Sequence, residues 1–386
     1  MHIETTTIHT GCEVDSAYNA VITPIYATST FALNKLGETC GFDYTRSGNP
    51  TRKALEDTLA VLENGVAATA TASGMAAIMA VLSLLGAGDH LIVPVEIYGG
   101  THRLFSQIAP QFGIEVTFIN NPNDLTELER SVKQNTKLLW IETPSNPLLK
   151  VTDIQASSQL IKSINPSILL AADNTFMSPY FQKPLDLGCD IVIHSTTKYI
   201  NGHSDVVGGA VISKTAELAK RINYYVNCMG LAGSPFDTWL VARGLKTLPQ
   251  RMKAHERNAQ LLVEFLQEHE LVKEVFYPGL KNNPQAELIS KQMNGFGGML
   301  SFVLDSSKAN IDKFFAGLKY FQLAVSLGGV ESLIAQPWSM SHASMPENAR
   351  LKAGITPDLI RISAGIENHD DLISDLKQAL ENCCCC

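Results

Sequence analysis

The sequence predicts an α/β protein built on a large, mainly parallel sheet with helices on both faces, plus a smaller C-terminal α/β domain. Short β-branched runs recur along the chain, segments with helical spacing follow them, and no repeat period connects the units. Strands that alternate with helices in this way form a parallel sheet covered on both sides. At 386 residues the chain exceeds one typical domain and has the length for a substantial core. We expect an N-terminal arm over residues 1–60 that contacts a neighbouring subunit, a large domain over 61–250 and a C-terminal domain over 251–386.

Residues 1–60 are rich in Thr, Gly and Asn and weak in helical periodicity until a helix over 51–62. A poorly packed arm of this kind often reaches across to another subunit. Ala67–Thr71 reads as a strand, after which Ser73-Gly74-Met75 opens an apolar helix over 74–85. The free N–H groups of such a helix start suit a phosphate, although a glycine there also serves close packing. His90–Pro94 is the next strand, and Tyr98-Gly99-Gly100-Thr101 leads into a helix over 102–112. Strands over 114–119 and 137–142 flank a helix over 124–134. Pro144-Ser145-Asn146-Pro147 then ends the second strand, because its prolines forbid a helix.

Two strand ends carry the chemistry. The run over 168–172 closes on Asp173-Asn174-Thr175, and the run over 191–193 opens into Ser195-Thr196-Thr197-Lys198. An acid and a lysine at the ends of nearby strands suit an imine-forming cofactor with a basic ring nitrogen. A strand over 210–213 closes the large domain, and helices over 216–228 and 236–245 lead to a long helix over 247–269. The smaller domain begins along that helix. It continues through segments over 272–277, 284–293, 299–304, 311–318 and 321–326, a loop over 326–333, a strand over 359–363 and a helix over 370–380.

Hydrophobic residues make up 45% and charged residues 18%, an ordinary globular balance. The net charge of −8 argues against nucleic acid as a partner. No apolar run is long enough to span a bilayer and no signal-peptide pattern opens the chain, so the expectation is a cytoplasmic protein with no membrane partner. Four of the eight cysteines form the tail Cys383–Cys386, which reads as frayed or artificial. The others, Cys12, Cys40, Cys189 and Cys228, lack metal-ligand spacing, so no metal is expected.

Five separated segments, TRSGNPTR (45–52), ETPSNPL (142–148), DNTFMSP (173–179), HSTTKYINGHSDVVGG (194–209) and SLGGVESL (326–333), together resemble the Cys/Met-metabolism family of pyridoxal-phosphate enzymes. The likeness runs from about Ile8 to about Ala379. It implies a fold-type I enzyme that uses pyridoxal 5′-phosphate (PLP), acts on small-molecule amino acids, and assembles as a homotetramer of two active dimers.

The resemblance also implies roles. Lys198 holds the cofactor aldehyde and later serves as a base for the substrate α proton. Asp173 pairs with the ring nitrogen, and Tyr98 stacks on the ring. The backbone of Gly74 and Met75 and the hydroxyls of Ser195 and Thr197 hold the phosphate, with Tyr44 and Arg46 reaching the phosphate of the neighbouring subunit. Arg361 clamps the substrate α-carboxylate, assisted by the main chain near Ser326, and Asn146 lies close to both ring and carboxylate. Arg103 lies near a distal carboxylate, and Asp43 precedes Tyr44 as in γ-synthases.

Arg103, Asp43, Gly100 and the absence of tryptophan before Gly328-Gly329 favour a cystathionine γ-synthase or γ-lyase, and of the two the reading adopted is γ-replacement on O-succinyl-L-homoserine by L-cysteine to give L-cystathionine. Cystathionine γ-lyase activity is the alternative, and methionine γ-lyase stands behind it. Val325 stands where γ-synthases and γ-lyases usually have glutamate and resembles methionine γ-lyases, Ser47 replaces an arginine of some γ-synthases and is common among γ-lyases, and charge changes at a polar substrate end reorder substrates. Two other classes stand against these. Ser195 and Lys198 fit the SxxK pattern of serine acyltransferases, but the SDN and KTG partners are missing. A non-catalytic binder sharing the fold is expected to lack Lys198, Asp173 or Arg361, and all three are present.

Overall fold

The computed structural model describes residues 1–386 other than 13, 14, 16, 344, 385 and 386. Seven strands form the first sheet: β1 (Ala67–Thr71), β2 (His90–Pro94), β3 (Glu115–Ile119), β4 (Thr136–Glu142), β5 (Leu169–Asp173), β6 (Ile191–His194) and β7 (Gly209–Ser213). Their spatial order is β1-β7-β6-β5-β4-β2-β3. Only β7 runs antiparallel to its neighbours, so the sheet is mainly parallel, as its sequence pattern implies.

Alternate residues of the central strands feed two separate cores, as the two-residue period of a strand requires. Ile141, Leu170, Val192 and Ile212 point to one face, where the helix Pro50–Leu62 contributes Leu55 and Leu59. Trp140, Ile191, Ile193 and Val211 point to the other, where the helix Gly74–Leu82 contributes Ile78 and Val81. Trp140 is fully buried and meets Phe105 edge to face at 5.3 Å, a favoured aromatic geometry.

The second sheet contains β8 (Val272–Phe276), β9 (Met299–Leu304), β10 (Gln322–Leu323), β11 (Leu333–Ala335) and β12 (Leu359–Ser363), in the order β10-β11-β12-β9-β8. Only the β10–β11 pair is parallel. The helices Leu248–Gln267, Ile311–Gly317 and His369–Asn382 share its core with Phe302, Ile360 and Ile362.

Several elements depart from the sequence expectation. The helix over 102–112 begins earlier and is broken into an α turn Gly99–Arg103, a π turn Leu104–Ile108 and a 3₁₀ turn Ala109–Phe112. Pro110 lies in the last of these and has no N–H to continue the ladder. The helix Ile154–Ile164 was not anticipated, although Asp153 caps it by accepting from the Ala156 N–H at 2.8 Å. The short helices Ser178–Phe181 and Glu347–Lys352 and strand β11 are likewise additions. The tail is not frayed throughout. Cys383 is fully buried, its carbonyl accepts from the Asn310 N–H at 2.8 Å, and Cys384 forms an isolated bridge with Ala309. Cys385 and Cys386 lie outside the described residues.

The parallel register sets Glu142 beside Asp173, and Asp173 beside Ile193. Three carboxyl-terminal strand ends therefore meet at one edge, the position where ligands bind in open α/β sheets. No helix among the described residues is long and apolar enough to cross a membrane.

Candidate active site

A cavity of about 430 Å³ opens at those strand ends. Eleven of the residues singled out from the sequence line it: Lys198, Asp173, Tyr98, Gly74, Met75, Ser195, Thr197, Arg361, Ser326, Asn146 and Arg103. They come from chain segments as far apart as residues 74 and 361, and only the fold unites them.

Asp173 ends β5 and accepts the Thr175 N–H at 3.0 Å. Burial pushes its carboxyl up, against hydrogen bonds from Thr175 and the charge of His194. Its neighbour Glu142 ends β4 and accepts the Tyr98 N–H at 2.8 Å. Burial and the charge of Asp173 raise the Glu142 carboxyl well above its usual range. Glu142 also lines the cavity and is absent from the sequence-derived set. Its signal was available, since it opens the segment ETPSNPL at a strand end. Two adjacent buried carboxylates disfavour each other's charge and favour a cationic neighbour.

Lys198 follows β6 in a turn, and its Nζ donates to Ser326 Oγ at 2.6 Å. Burial, and then the charge of Arg361, lowers its amine to about 8. An amine so placed is readily deprotonated, as a nucleophile or base must be.

At another part of the cavity the helix Gly74–Leu82 begins, with Ser73 Oγ accepting the Ala76 N–H at 3.1 Å. A Cβ on Gly74 would stand 2.8 Å from Ser195 Cβ, so only glycine lets the helix start approach Ser195 this closely. Thr197 Oγ1 accepts the Gly208 N–H at 3.0 Å, which fixes the hydroxyl's place. Tyr98, with its aromatic ring, lines the cavity and is 43% exposed as a residue. A side chain on Gly100 would press on that ring at 2.4 Å, so glycine there sets the ring's position.

Arg361 sits on β12 and is only 4% exposed. It donates to Asn146 Oδ1 at 3.1 Å and to the Ser326 carbonyl at 2.8 Å, and no carboxylate pairs with it among the described residues. Burial lowers its guanidinium to about 10, which still leaves it charged at neutral pH. A buried guanidinium held by neutral acceptors is a natural receptor for a carboxylate. Arg103 also lines the cavity but is solvent-exposed.

Tyr44, Arg46 and Asp43 are not brought to this cavity within one subunit. Arg46 donates to Asn227 Oδ1 at 3.1 Å and lies 5.4 Å from the centre of the Tyr44 ring, while Asp43 Oδ1 accepts the Tyr44 N–H at 2.6 Å.

The chain matches the Cys/Met metabolism PLP-dependent enzymes over residues 4–381. It belongs to that family. It is 47% identical to the cystathionine γ-lyase of Bacillus subtilis over 382 residues, covering 99% of this chain and all of the relative. It is 49% identical to a cystathionine β-lyase of Lactococcus lactis over 379 residues, covering 98% and 99%. Among solved structures it superimposes on cystathionine γ-lyase from Lactobacillus plantarum with a TM-score of 0.96 at 45% identity, covering 99% of each chain. It superimposes equally, with a TM-score of 0.96 at 46% identity, on cystathionine γ-synthase from Xanthomonas oryzae pv. oryzae, covering 99% and 98%.

The family's cofactor is PLP, and the cavity suits it. The paired acids favour a protonated ring nitrogen, the Gly74 cradle leaves room for a phosphate at a helix start, and Lys198 supplies a deprotonable amine.

Proposed function

We propose that this chain cleaves L-cystathionine and related thioether amino acids as a PLP-dependent carbon–sulfur lyase. One observation carries the reading. A single cavity holds a buried Arg361 without an acidic partner and an exposed Arg103, with Met75, Ile78, Val207, Val325, Leu327 and Met340 along its walls. That suits a substrate with two carboxylates joined by an apolar, sulfur-containing chain.

Lys198 would hold the cofactor aldehyde, and Asp173, next to Glu142, would hold the ring nitrogen. Gly74, Met75, Ser195 and Thr197 would hold the phosphate. When bound, the cofactor supplies an electron sink for the bond broken at the substrate Cα. Arg361, fixed by Asn146 and Ser326, would grip the α-carboxylate and so direct the α proton towards the Lys198 amine, which removes it. Tyr98 would cover the ring. Val325 is 61% exposed and apolar at the cavity wall, so it offers no anion for the distal ammonium that cystathionine and cysteine both carry. The likeness to lyases from Bacillus and Lactococcus supports the lyase reading.

A γ-synthase acting on O-succinyl-L-homoserine is the second reading. Arg103, suited to a succinyl carboxylate, and the likeness to the Xanthomonas γ-synthase favour it.

We also propose a homotetramer in which Tyr44, Arg46 and Asp43 complete the neighbour's site. Exposed apolar side chains crowd the N-terminal segment, including Tyr18 at 90%, Val21 at 83% and Leu36 at 100%, and such surface is normally covered by another subunit. The residue spans 1–60, 61–250 and 251–386 are proposed as arm, large domain and C-terminal domain.

The test is a product assay on purified, cofactor-loaded protein. Cysteine and 2-oxobutanoate formed from L-cystathionine mark a γ-lyase, and homocysteine and pyruvate mark a β-lyase. Cystathionine accumulating from O-succinyl-L-homoserine and L-cysteine, while added cystathionine survives, would replace the lyase reading with the synthase.

A further inference from the structure

The turn that carries Lys198 rests on a buried cation that none of the roles above uses. Arg251 lies in the first turns of the helix Leu248–Gln267 and is only 4% exposed. Its Nη1 donates to the Tyr199 carbonyl at 2.6 Å. Its Nη2 donates to the carbonyls of Ile200 at 3.2 Å and Gly244 at 2.9 Å, and its Nε to Thr247 Oγ1 at 3.2 Å. One guanidinium therefore gathers the carbonyls of the two residues that follow Lys198 and fastens them to the helix Pro235–Leu245.

Nothing local asks for an arginine here. A cation near a helix start meets the positive end of the helix dipole. No carboxylate pairs with Arg251 among the described residues, and burial lowers its guanidinium to about 10, which leaves it charged at neutral pH. Burying such a charge is costly, and four neutral acceptors offset that cost through charge-assisted hydrogen bonds. The neighbouring chain is shaped to admit the fork. Gly202 has φ at +73°, and a Cβ there would stand 2.0 Å from Arg251 Nη1. The same turn meets the loop that carries Ser326: a Cβ on Gly328 would stand 2.7 Å from the Tyr199 nitrogen, and the Val330 N–H donates to the Gly202 carbonyl at 2.9 Å. The helix that carries Arg251 also contributes Leu248 and Met252 to a core of the first sheet, and Leu262 and Leu266 to that of the second. A grip at its start thus ties the Lys198 backbone to an element shared by both sheets.

We propose that Arg251 is a positioning residue, whose guanidinium fork fixes the Lys198 turn so that Nζ meets the cofactor aldehyde in a reactive pose. The inference rests on the role proposed above for Lys198. In that step the amine nitrogen bonds to the aldehyde carbon, and the aldehyde oxygen leaves as water. Arg251 touches neither reacting atom and acts through the backbone of Tyr199 and Ile200. Arg251→Lys keeps the charge but offers one nitrogen in place of a planar fork, so it cannot gather the same carbonyls.

The experiment compares full-length wild type, Arg251→Lys, Arg251→Met and Lys198→Ala after removal of any cofactor. Imine formation with added PLP is followed by rapid-mixing absorbance and borohydride trapping. Binding of pyridoxine 5′-phosphate, which has an alcohol in place of the aldehyde, is titrated by fluorescence. Both Arg251 variants are expected to form the imine roughly tenfold more slowly, the cost of a reacting atom held out of line, yet to bind the alcohol within about twofold of wild type. A purely structural role would lower the melting temperature and leave the imine rate of the folded protein unchanged, and that outcome overturns the proposal. A rate and an alcohol affinity that fall together overturn it too, as does a wild-type rate in Arg251→Lys alone. Lys198→Ala should form no imine. If it still does so, at another lysine, the role of Lys198 falls and this inference with it. Should the Arg251 variants not fold, Thr247→Val, which removes the acceptor of Nε, decides the matter. Slower imine formation with unchanged alcohol binding upholds the proposal, and an unchanged rate overturns it.

Discussion

Lys198 Nζ donates to Ser326 Oγ at 2.6 Å, and this contact joins the two sheets at the point where chemistry is proposed. Ser326 reaches it from a left-handed backbone, with φ at +96°, while its carbonyl accepts from Arg361. A non-glycine residue held there stores about 1–3 kcal/mol of strain, which the surrounding contacts must offset. The same residue thus orients the lysine and fixes the guanidinium.

Replacing Ser326 separates these effects. Ser326→Gly relieves the backbone strain and should leave the melting temperature equal or higher, by up to about 1 kcal/mol of stability. It should still lower turnover, because the hydroxyl that orients Lys198 is gone. Ser326→Ala should lower turnover similarly without the gain in stability. Thermal denaturation beside steady-state kinetics checks this, and wild-type activity in both variants would remove the orienting role.

Lys198→Ala should abolish reductive trapping of PLP by borohydride and cut turnover by roughly 10²–10⁴-fold or more, the usual worth of a positioned base. Normal activity with cofactor trapped on another lysine would show the assignment to be wrong. Peptide mapping after reduction supplies the readout.

The Lys198 amine, lowered to about 8 by burial and by Arg361, is mainly ammonium below that pH and mainly amine above it. The rate at which apo-protein takes up PLP should therefore rise with pH and level off above about 8. In Arg361→Leu a repelling positive charge is removed, so the ammonium becomes easier to keep and the midpoint must move upward. Uptake at pH 8 should then slow. A midpoint that stays in place, followed by rapid-mixing absorbance, would mean that burial alone sets it.

Arg103→Leu should raise KM for L-cystathionine more than for L-methionine, which has no distal carboxylate. Loss of one exposed charge contact is worth about 0.2–1 kcal/mol, or a factor of roughly 1.4 to 5, and more if substrate excludes water there. Equal effects on the two substrates would deny Arg103 a part in distal recognition.

The order and type of the main elements were written in local pattern. The apolar runs ending at Asp173 and His194 could be read as strands because burial on both faces demands continuous apolar residues, and β9, β12 and the helix Ala216–Cys228 were legible to the residue. The capped helix Ile154–Ile164 had readable signals too, but the break at Pro110 and the strand β11 depend on neighbours that local spacing does not reveal. Sequence alone also marked eleven residues that meet in one cavity, six of them in the five family-like segments and the others by the resemblance of the chain around them. Tertiary structure alone decided that Glu142 stands beside Asp173, that Ser326 spans Lys198 and Arg361, and that Glu63 reaches His194 across 131 positions of chain. Those relations arise from strand register and from burial, which lowers the local dielectric and makes distant charges matter to one another, and neither quantity is a property of any single segment.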